Sequence, residues 1–219
     1  MRVELGIVAM KKILIVDDHE VVRGGVRRIF DKQPGTAKFG EASTVSEALK
    51  LIREQDWDVV VLDLSLRGRN GLEILEESKQ LRPQLPVLIL SMHSEEQFAR
   101  RAFRAGAAGY ITKNSPRAEL VRAIDKVIEG GTYISPALAE KLVVDLRRGT
   151  DRPPHEALSN REFEVMTLIA SGRTVGEIAD LLSLSNRTIS THRARILEKM
   201  GMKTSSELTH YAIRNNLVD

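Results

Sequence analysis

Short apolar runs separated by longer amphipathic stretches fill the first part of the chain. Ile13-Leu14-Ile15-Val16, Val59-Val60-Val61-Leu62, Val87 to Leu90 and Gly109 to Thr112 are compact runs flanked by charged or turn-forming residues, which predicts buried strands. A weaker strand is expected near Lys38 to Ala42. Between the runs, apolar residues recur at helical spacing, predicting helices over Glu20 to Asp31, Ser46 to Glu54, Gly71 to Leu81, Glu95 to Ala105 and Pro116 to Glu129. Pro116 after Ser115 suits a helix start, and Gly130-Gly131 a stop. Five strand-helix units in sequence imply an α/β doubly wound, five-stranded parallel sheet covered on both faces, over residues 11–131.

The pattern then changes. Pro136 to Arg148 reads as one amphipathic helix, with Leu138, Leu142, Val143 and Leu146 on a common stripe. Gly149 to Pro154, with two prolines and mixed charge, reads as a boundary, so that 132–157 is a helical linker. Residues 158–219 show only helical patterns, at about 160–171, 174–182, 186–200 and 205–216, and form a small all-α domain. Within it a helix opened by Glu177-Ile178-Ala179 ends near Leu182, and the turn Ser183-Leu184-Ser185 leads to a second helix with Ser185 as N-cap. At about 100° per residue, Ile189, Ile196, Leu197 and Met200 share the apolar face of that helix. Opposite lie Arg187, Thr191, Ala194 and Arg195, with Ser190 at the edge. From Arg187 to Lys203 there are five basic residues against Glu198 alone, a clustering suited to phosphate. A solvated helix face is the plainer reading of that cluster taken alone.

Composition narrows the classes. The 219 residues suit two domains, and a net charge of only +3 puts the weight on charge distribution. Cysteine is absent, which removes disulfides, thiolate metal sites and cysteine nucleophiles, and fits a reducing cytoplasm. No apolar run approaches the roughly 18 residues of a membrane span, so no membrane partner is expected. Residues 1–10, MRVELGIVAM, lack the features of a signal peptide and are read as an N-terminal extension with no function assigned.

The chemistry collects at strand ends. In open α/β sheets ligands bind at the carboxyl ends of the strands, where Asp17-Asp18 and Asp63 stand. Taken singly, the first two fit an ordinary turn and the third a helix cap. Converging, three carboxylates resist ionising together unless a hard cation lies between them, and Mg²⁺, which favours oxygen ligands and phosphate, is the natural candidate. His19-Glu20 begins HEVVR without the second histidine zinc would need, and neither a G-x-x-x-x-G-K loop nor a G-x-S-x-G turn is present.

In order and spacing, IVDDHE, VVLDLSLRGRNGLE, LILSMHS and AAGYITKNS resemble the receiver domain of two-component response regulators, with its CheY/flavodoxin-like fold, over roughly residues 11–131. LSNREFEVMTLIASG, EIADLLSLSNRTISTHRARILEKMG and ELTHYAIRNNLV resemble the LuxR-type helix-turn-helix domain, and the pair is similar to the NarL/FixJ class. The resemblance implies that Asp63 is the phosphoacceptor, and that Asp18, Asp63 and the Ser65 backbone carbonyl bind Mg²⁺, with Asp17 acting through water. Lys113 and Ser91 would contact the phosphoryl oxygens, and Tyr110 would turn inward as Ser91 shifts. Arg67 stands where that family usually has proline, and Ser190 where many relatives carry lysine.

DNA-binding residues expected on this reading are Arg187, Thr188, Ser190, Thr191, His192, Ala194, Arg195 and Lys199. Thr191 and Arg195 are placed at base edges, and Thr188, His192 and Lys199 at phosphates, with His192 equally suited to packing. The implied function is a cytoplasmic, phosphorylation-dependent transcriptional regulator rather than an enzyme, with DNA and a sensor histidine kinase as partners and a homodimer when phosphorylated. The alternatives are a phosphorylation-independent regulator and a Mg²⁺-dependent phosphohydrolase. The all-helical DNA-binding region argues against the second.

Overall fold

The structure, a computed structural model, describes residues 10–30, 36–66, 71–92, 95–140, 153–215 and 217–218, with the side chains of 95–97 excepted. The readings of residues 1–9, of Arg67 and of the linker helix beyond 140 lie outside the described residues. Strands β1 (Lys11–Val16), β2 (Ala37–Ala42), β3 (Val59–Leu62), β4 (Val87–Ser91) and β5 (Gly109–Thr112) alternate with α1 (Glu20–Phe30), α2 (Val45–Glu54), α3 (Gly71–Leu81), α4 (Glu95–Arg104) and α5 (Arg117–Ile128). The sheet is parallel, in the order β2-β1-β3-β4-β5. Strand order reverses at β1, so the crevice beside β1 and β3 is the switch point at which such sheets bind ligands.

Period-two alternation divides the core. Leu14, Val16, Val60, Leu62, Val87 and Ile89 face α2, α3 and α4, whereas Ile13, Ile15, Val59, Val61, Leu88 and Ile111 face α1 and α5. β3 and β4 are buried throughout because they are central and covered on both faces, which explains their unbroken apolar runs. β2, one of the two edge strands, is half-exposed, which accounts for its weak pattern. Its Gly40 lies against the Trp57 ring, where a Cβ would collide with the indole.

Beyond β5 the chain is tied back to the sheet by Tyr133, whose N–H donates to the Ala108 carbonyl at 2.9 Å and whose hydroxyl meets Glu119 Oε1 at 2.6 Å. Residues 136–140 are helical. After the undescribed stretch, a 3₁₀ turn at Pro154–Ala157, within the segment read as linker, leads into α6 (Asn160–Ala170), α7 (Val175–Leu182), α8 (Asn186–Met200) and α9 (Ser205–Arg214). Both α6 and α7 start with capping boxes, Ser159 with Glu162 and Thr174 with Glu177, satisfying amides that would otherwise lack partners. α7 ends on Ser183 in a left-handed conformation, and Ser185 caps α8 by accepting from the Thr188 N–H. Gly201, at φ 65°, closes α8.

Candidate functional sites

The pocket at the switch point is built by strand register. Val16 pairs with Leu62, and the Asp63 N–H donates to the Val16 carbonyl at 2.9 Å, bringing the ends of β1 and β3 together. Asp17 and Asp63 are each 2 % exposed. Gly71 fixes the approach of α3, because its N–H donates to the Leu64 carbonyl at 2.9 Å and a Cβ would lie 2.5 Å from the Asp63 carbonyl oxygen. The structure therefore requires glycine at Gly71, a constraint that the sequence pattern did not expose.

Lys113 reaches in from the end of β5. Its Nζ lies 2.7 Å from Asp17 Oδ2 and 2.8 Å from Asp63 Oδ2, and its N–H donates to the Ser91 carbonyl at 2.8 Å. The Ser65 N–H donates to Asp63 Oδ1 at 3.2 Å. Burial pushes the Asp63 carboxyl above its ordinary pKa, and the Lys113 ammonium only partly offsets this. For Lys113, burial opposes the charge, but its bonds to Asp17 and Asp63 outweigh it and hold the ammonium above its ordinary pKa. Ser91 and Tyr110 are fully buried on the adjacent strands β4 and β5, where Ser91 pairs with Thr112 and Tyr110 with Ile89.

Potential ligand atoms of Asp17, Asp18, His19 and Asp63 lie within 4.8 Å of one another. Three carboxylates face one ammonium and a half-exposed imidazole, leaving net negative charge in a small space. The three carboxylates of that group are oxygen donors of the kind and charge that fit Mg²⁺. His19 was not among the expected site residues, yet its Nδ1 lies 2.8 Å from Asp18 Oδ1 and 3.2 Å from Asp17 Oδ1. Its position immediately after Asp18 was the available signal.

The second site lies on α8. Ile189 and Ile196 are fully buried, Met200 nearly so, and Leu197 packs beside them. On the other side Arg187, Ser190, Thr191, Ala194 and Arg195 are exposed, forming a polar and basic face. The hydroxyls of Ser190 and Thr191 are folded back on the carbonyls of Asn186 and Arg187, each at 2.9 Å. The Thr188 hydroxyl lies 2.8 Å from that of Ser185. Lys199 pairs with Glu162 at 2.6 Å while its side chain remains 40 % exposed. His192 has a buried Nδ1, and burial followed by the charge of Arg161 lowers its pKa, leaving the ring neutral at pH 7. That environment favours packing over phosphate contact.

Among the described residues, no helix is long and apolar enough to cross a membrane. Residues 13–125 match the response regulator receiver domain, and residues 156–212 match the bacterial regulatory proteins of the LuxR family. The chain is 37 % identical to the response regulator GacA of Pseudomonas aeruginosa over 96 % of its length and 99 % of the relative. It is 36 % identical to the response regulator UvrY of Escherichia coli over 95 % of its length and 96 % of that protein. Among solved structures, a two-component response regulator of the LuxR family from Aurantimonas sp. SI85-9A1 is 40 % identical, with a TM-score of 0.59, over 64 % of this chain and 99 % of that one. RcsB of Salmonella enterica serovar Typhimurium, bound to promoter rprA in the presence of BeF3-, shares 22 % identity and a TM-score of 0.61 over 92 % of this chain and 98 % of that one, which supports the fold.

Proposed function

The chain belongs to the two-component response regulators, transcription regulators that join a receiver domain to a LuxR-family DNA-binding domain, and we propose that phosphorylation of Asp63 by a sensor histidine kinase controls its binding to DNA. The observation that carries this reading is the Lys113 ammonium, 2.7 Å from Asp17 and 2.8 Å from Asp63 at the switch point of the sheet. An acid held there by a compact cation is placed to accept charge as well as to carry it. An Asp63 carboxylate oxygen bonds to phosphorus as the bond from the donor imidazole nitrogen breaks, with the electron pair returning to that nitrogen. Lys113 can follow the charge from carboxylate to phosphoryl oxygen without leaving the pocket. Ser91 supplies a hydroxyl donor from the end of β4.

Asp18, Asp63 and the Ser65 backbone carbonyl would hold Mg²⁺, with Asp17 acting through water. The ion supplies neutralisation of charge on the phosphoryl oxygens. Movement at Ser91, with repacking of Tyr110, passes the change to α4.

On α8, the face of Arg187, Ser190, Thr191, Ala194 and Arg195 is suited to the major groove, with Thr191 and Arg195 reading bases. Thr188 and Lys199 serve phosphates. Lys199 keeps spare donors while bonded to Glu162. One short helix supplies few specific contacts, which favours a homodimer on a symmetric operator. A DNA partner suits a bacterial cytoplasmic protein. The test is incubation with acetyl phosphate and MgCl₂ followed by mass spectrometry. Wild type gains one phosphoryl group on Asp63 and Asp63→Asn gains none, whereas equal gain by both overturns the assignment.

A further inference from the structure

The exposed face of α8 carries charged donors at its two ends and methyl groups at its centre. At about 100° per residue, Arg187, Thr191, Ala194 and Arg195 fall within about 100° of arc, and all four are exposed. Arg187 and Arg195 stand four residues before and after Thr191, about 6 Å to either side of it along the axis at the rise of a helix. Among the described residues no carboxylate pairs with either guanidinium, whereas Lys199 is held by Glu162.

The hydroxyls between those arginines are already engaged. Thr191 Oγ1 donates to the Arg187 carbonyl at 2.9 Å, and Ser190 Oγ donates to the Asn186 carbonyl at 2.9 Å. A hydroxyl has one proton, so neither side chain has a donor left for a base edge. Such a bond, from a hydroxyl to the carbonyl four residues earlier, is one of the two arrangements that a helix offers threonine. What Thr191 presents outward is therefore its methyl group. Ala194, three residues on and on the same face, adds a second. The two methyls form a small apolar patch in the middle of a basic face. Among the groups that base edges present in the major groove, the apolar one is the 5-methyl of thymine. The donors and acceptors of the other edges would lose water against such a patch and gain no partner.

We propose that Thr191 and Ala194 are specificity-determining residues that read thymine through its 5-methyl group, so that each half-site carries a thymine facing the centre of α8. The inference rests on the placement of α8 in the major groove. Thr191 acts here through its methyl and not through its hydroxyl. Arg187 and Arg195 meet DNA to either side of that thymine, since about 6 Å of helix spans roughly two base-pair steps of about 3.4 Å.

The probe is a duplex selected from a random-sequence library by binding to the full-length chain in acetyl phosphate and MgCl₂. Its copy is synthesised with deoxyuridine in place of thymidine, which removes the 5-methyl groups alone. Wild type is expected to bind the deoxyuridine copy about fivefold or more weakly, as the loss of a buried methyl at each half-site requires. Thr191→Val removes the hydroxyl and keeps the apolar surface, so it should bind the thymidine duplex within about twofold of wild type and keep the penalty. Thr191→Ser combined with Ala194→Ser removes the apolar patch. That double variant should bind the thymidine duplex about fivefold or more weakly than wild type and no longer distinguish the two copies. Equal binding of both copies by wild type overturns the methyl reading, as does a loss of about tenfold or more in Thr191→Val. A penalty that persists in the double variant, with wild-type circular dichroism, assigns it to DNA shape or to another residue and overturns the methyl reading as well. In each of these cases a double variant that still binds the thymidine duplex more weakly leaves the placement of α8 in the groove standing. A double variant that binds the thymidine duplex as tightly as wild type overturns the placement of these residues at base edges, and the proposal with it.

Discussion

Lys113 balances the charge of the acidic pocket, since its ammonium faces Asp17 and Asp63 while both carboxylates are buried. Removing one member of a buried charge set leaves the others uncompensated, a loss that reaches about 3 kcal/mol when no cation replaces it. Lys113→Ala is therefore expected to unfold at lower urea concentration in chelator, and to recover more stability than wild type when MgCl₂ is added. Equal Mg²⁺ responses in the two proteins would contradict this charge balance. Gly71 makes a different demand, because a Cβ there meets the backbone of Asp63 and Leu64. Gly71→Ala should displace the Asp63 loop and slow phosphorylation by acetyl phosphate at least about tenfold, roughly 1.4 kcal/mol of barrier, with stability falling by about 1–3 kcal/mol. Asp17, Asp18, Asp63, Ser91 and Lys113 were legible because each stands at a strand end, where strand prediction and motif register agree. His19 and Gly71 were not, because their importance depends on groups brought near only by folding.

Elements were legible where their local chemistry was strong. The central strands announced themselves as apolar runs because both faces are covered, and β2 was faint because half of it faces solvent. In the C-terminal unit, Ser159-x-x-Glu162 and Thr174-x-x-Glu177 form capping boxes that fix where α6 and α7 begin. Ser159→Ala should lower unfolding stability by about 1 kcal/mol, measured by urea titration. Ser159→Asp, retaining a cap acceptor, should recover most of it. The 3₁₀ turn at Pro154–Ala157 escaped notice because two prolines and mixed charge also describe a linker. Its shape is held by contacts with α4, more than fifty residues away in sequence, and by Tyr211.

At the scale of the whole molecule, two domains read separately from sequence meet, among the described residues, through the buried pair Phe98–Phe163 and through Arg100, Arg101 and Arg104 of α4. The same junction carries a pH dependence. Burial first, then the charges of Arg101 and Arg100 on α4, lower the pKa of His155 from 6.5 to about 4, against the opposing effect of Glu156 beside it; Tyr211 of α9 holds its Nδ1. The folded form therefore keeps His155 neutral, while the unfolded chain binds a proton near pH 6.5. The contribution to stability is fully present above pH 6.5 and is lost as pH falls from 6.5 toward about 4. Stability in urea should fall across that window, and His155→Gln should flatten the response. A response unchanged by that substitution would remove His155 from the account.

The central claim is that a phosphoryl group on Asp63 governs how the C-terminal unit meets DNA. The most direct measurement is the affinity of the full-length chain for DNA fragments selected from its own genome by binding, with and without acetyl phosphate and MgCl₂, for wild type and Asp63→Asn. The account predicts that phosphodonor tightens binding of wild type by about tenfold or more, about 1.4 kcal/mol, and leaves Asp63→Asn unchanged. An Asp63→Asn protein that gains the same affinity on treatment with phosphodonor would contradict it.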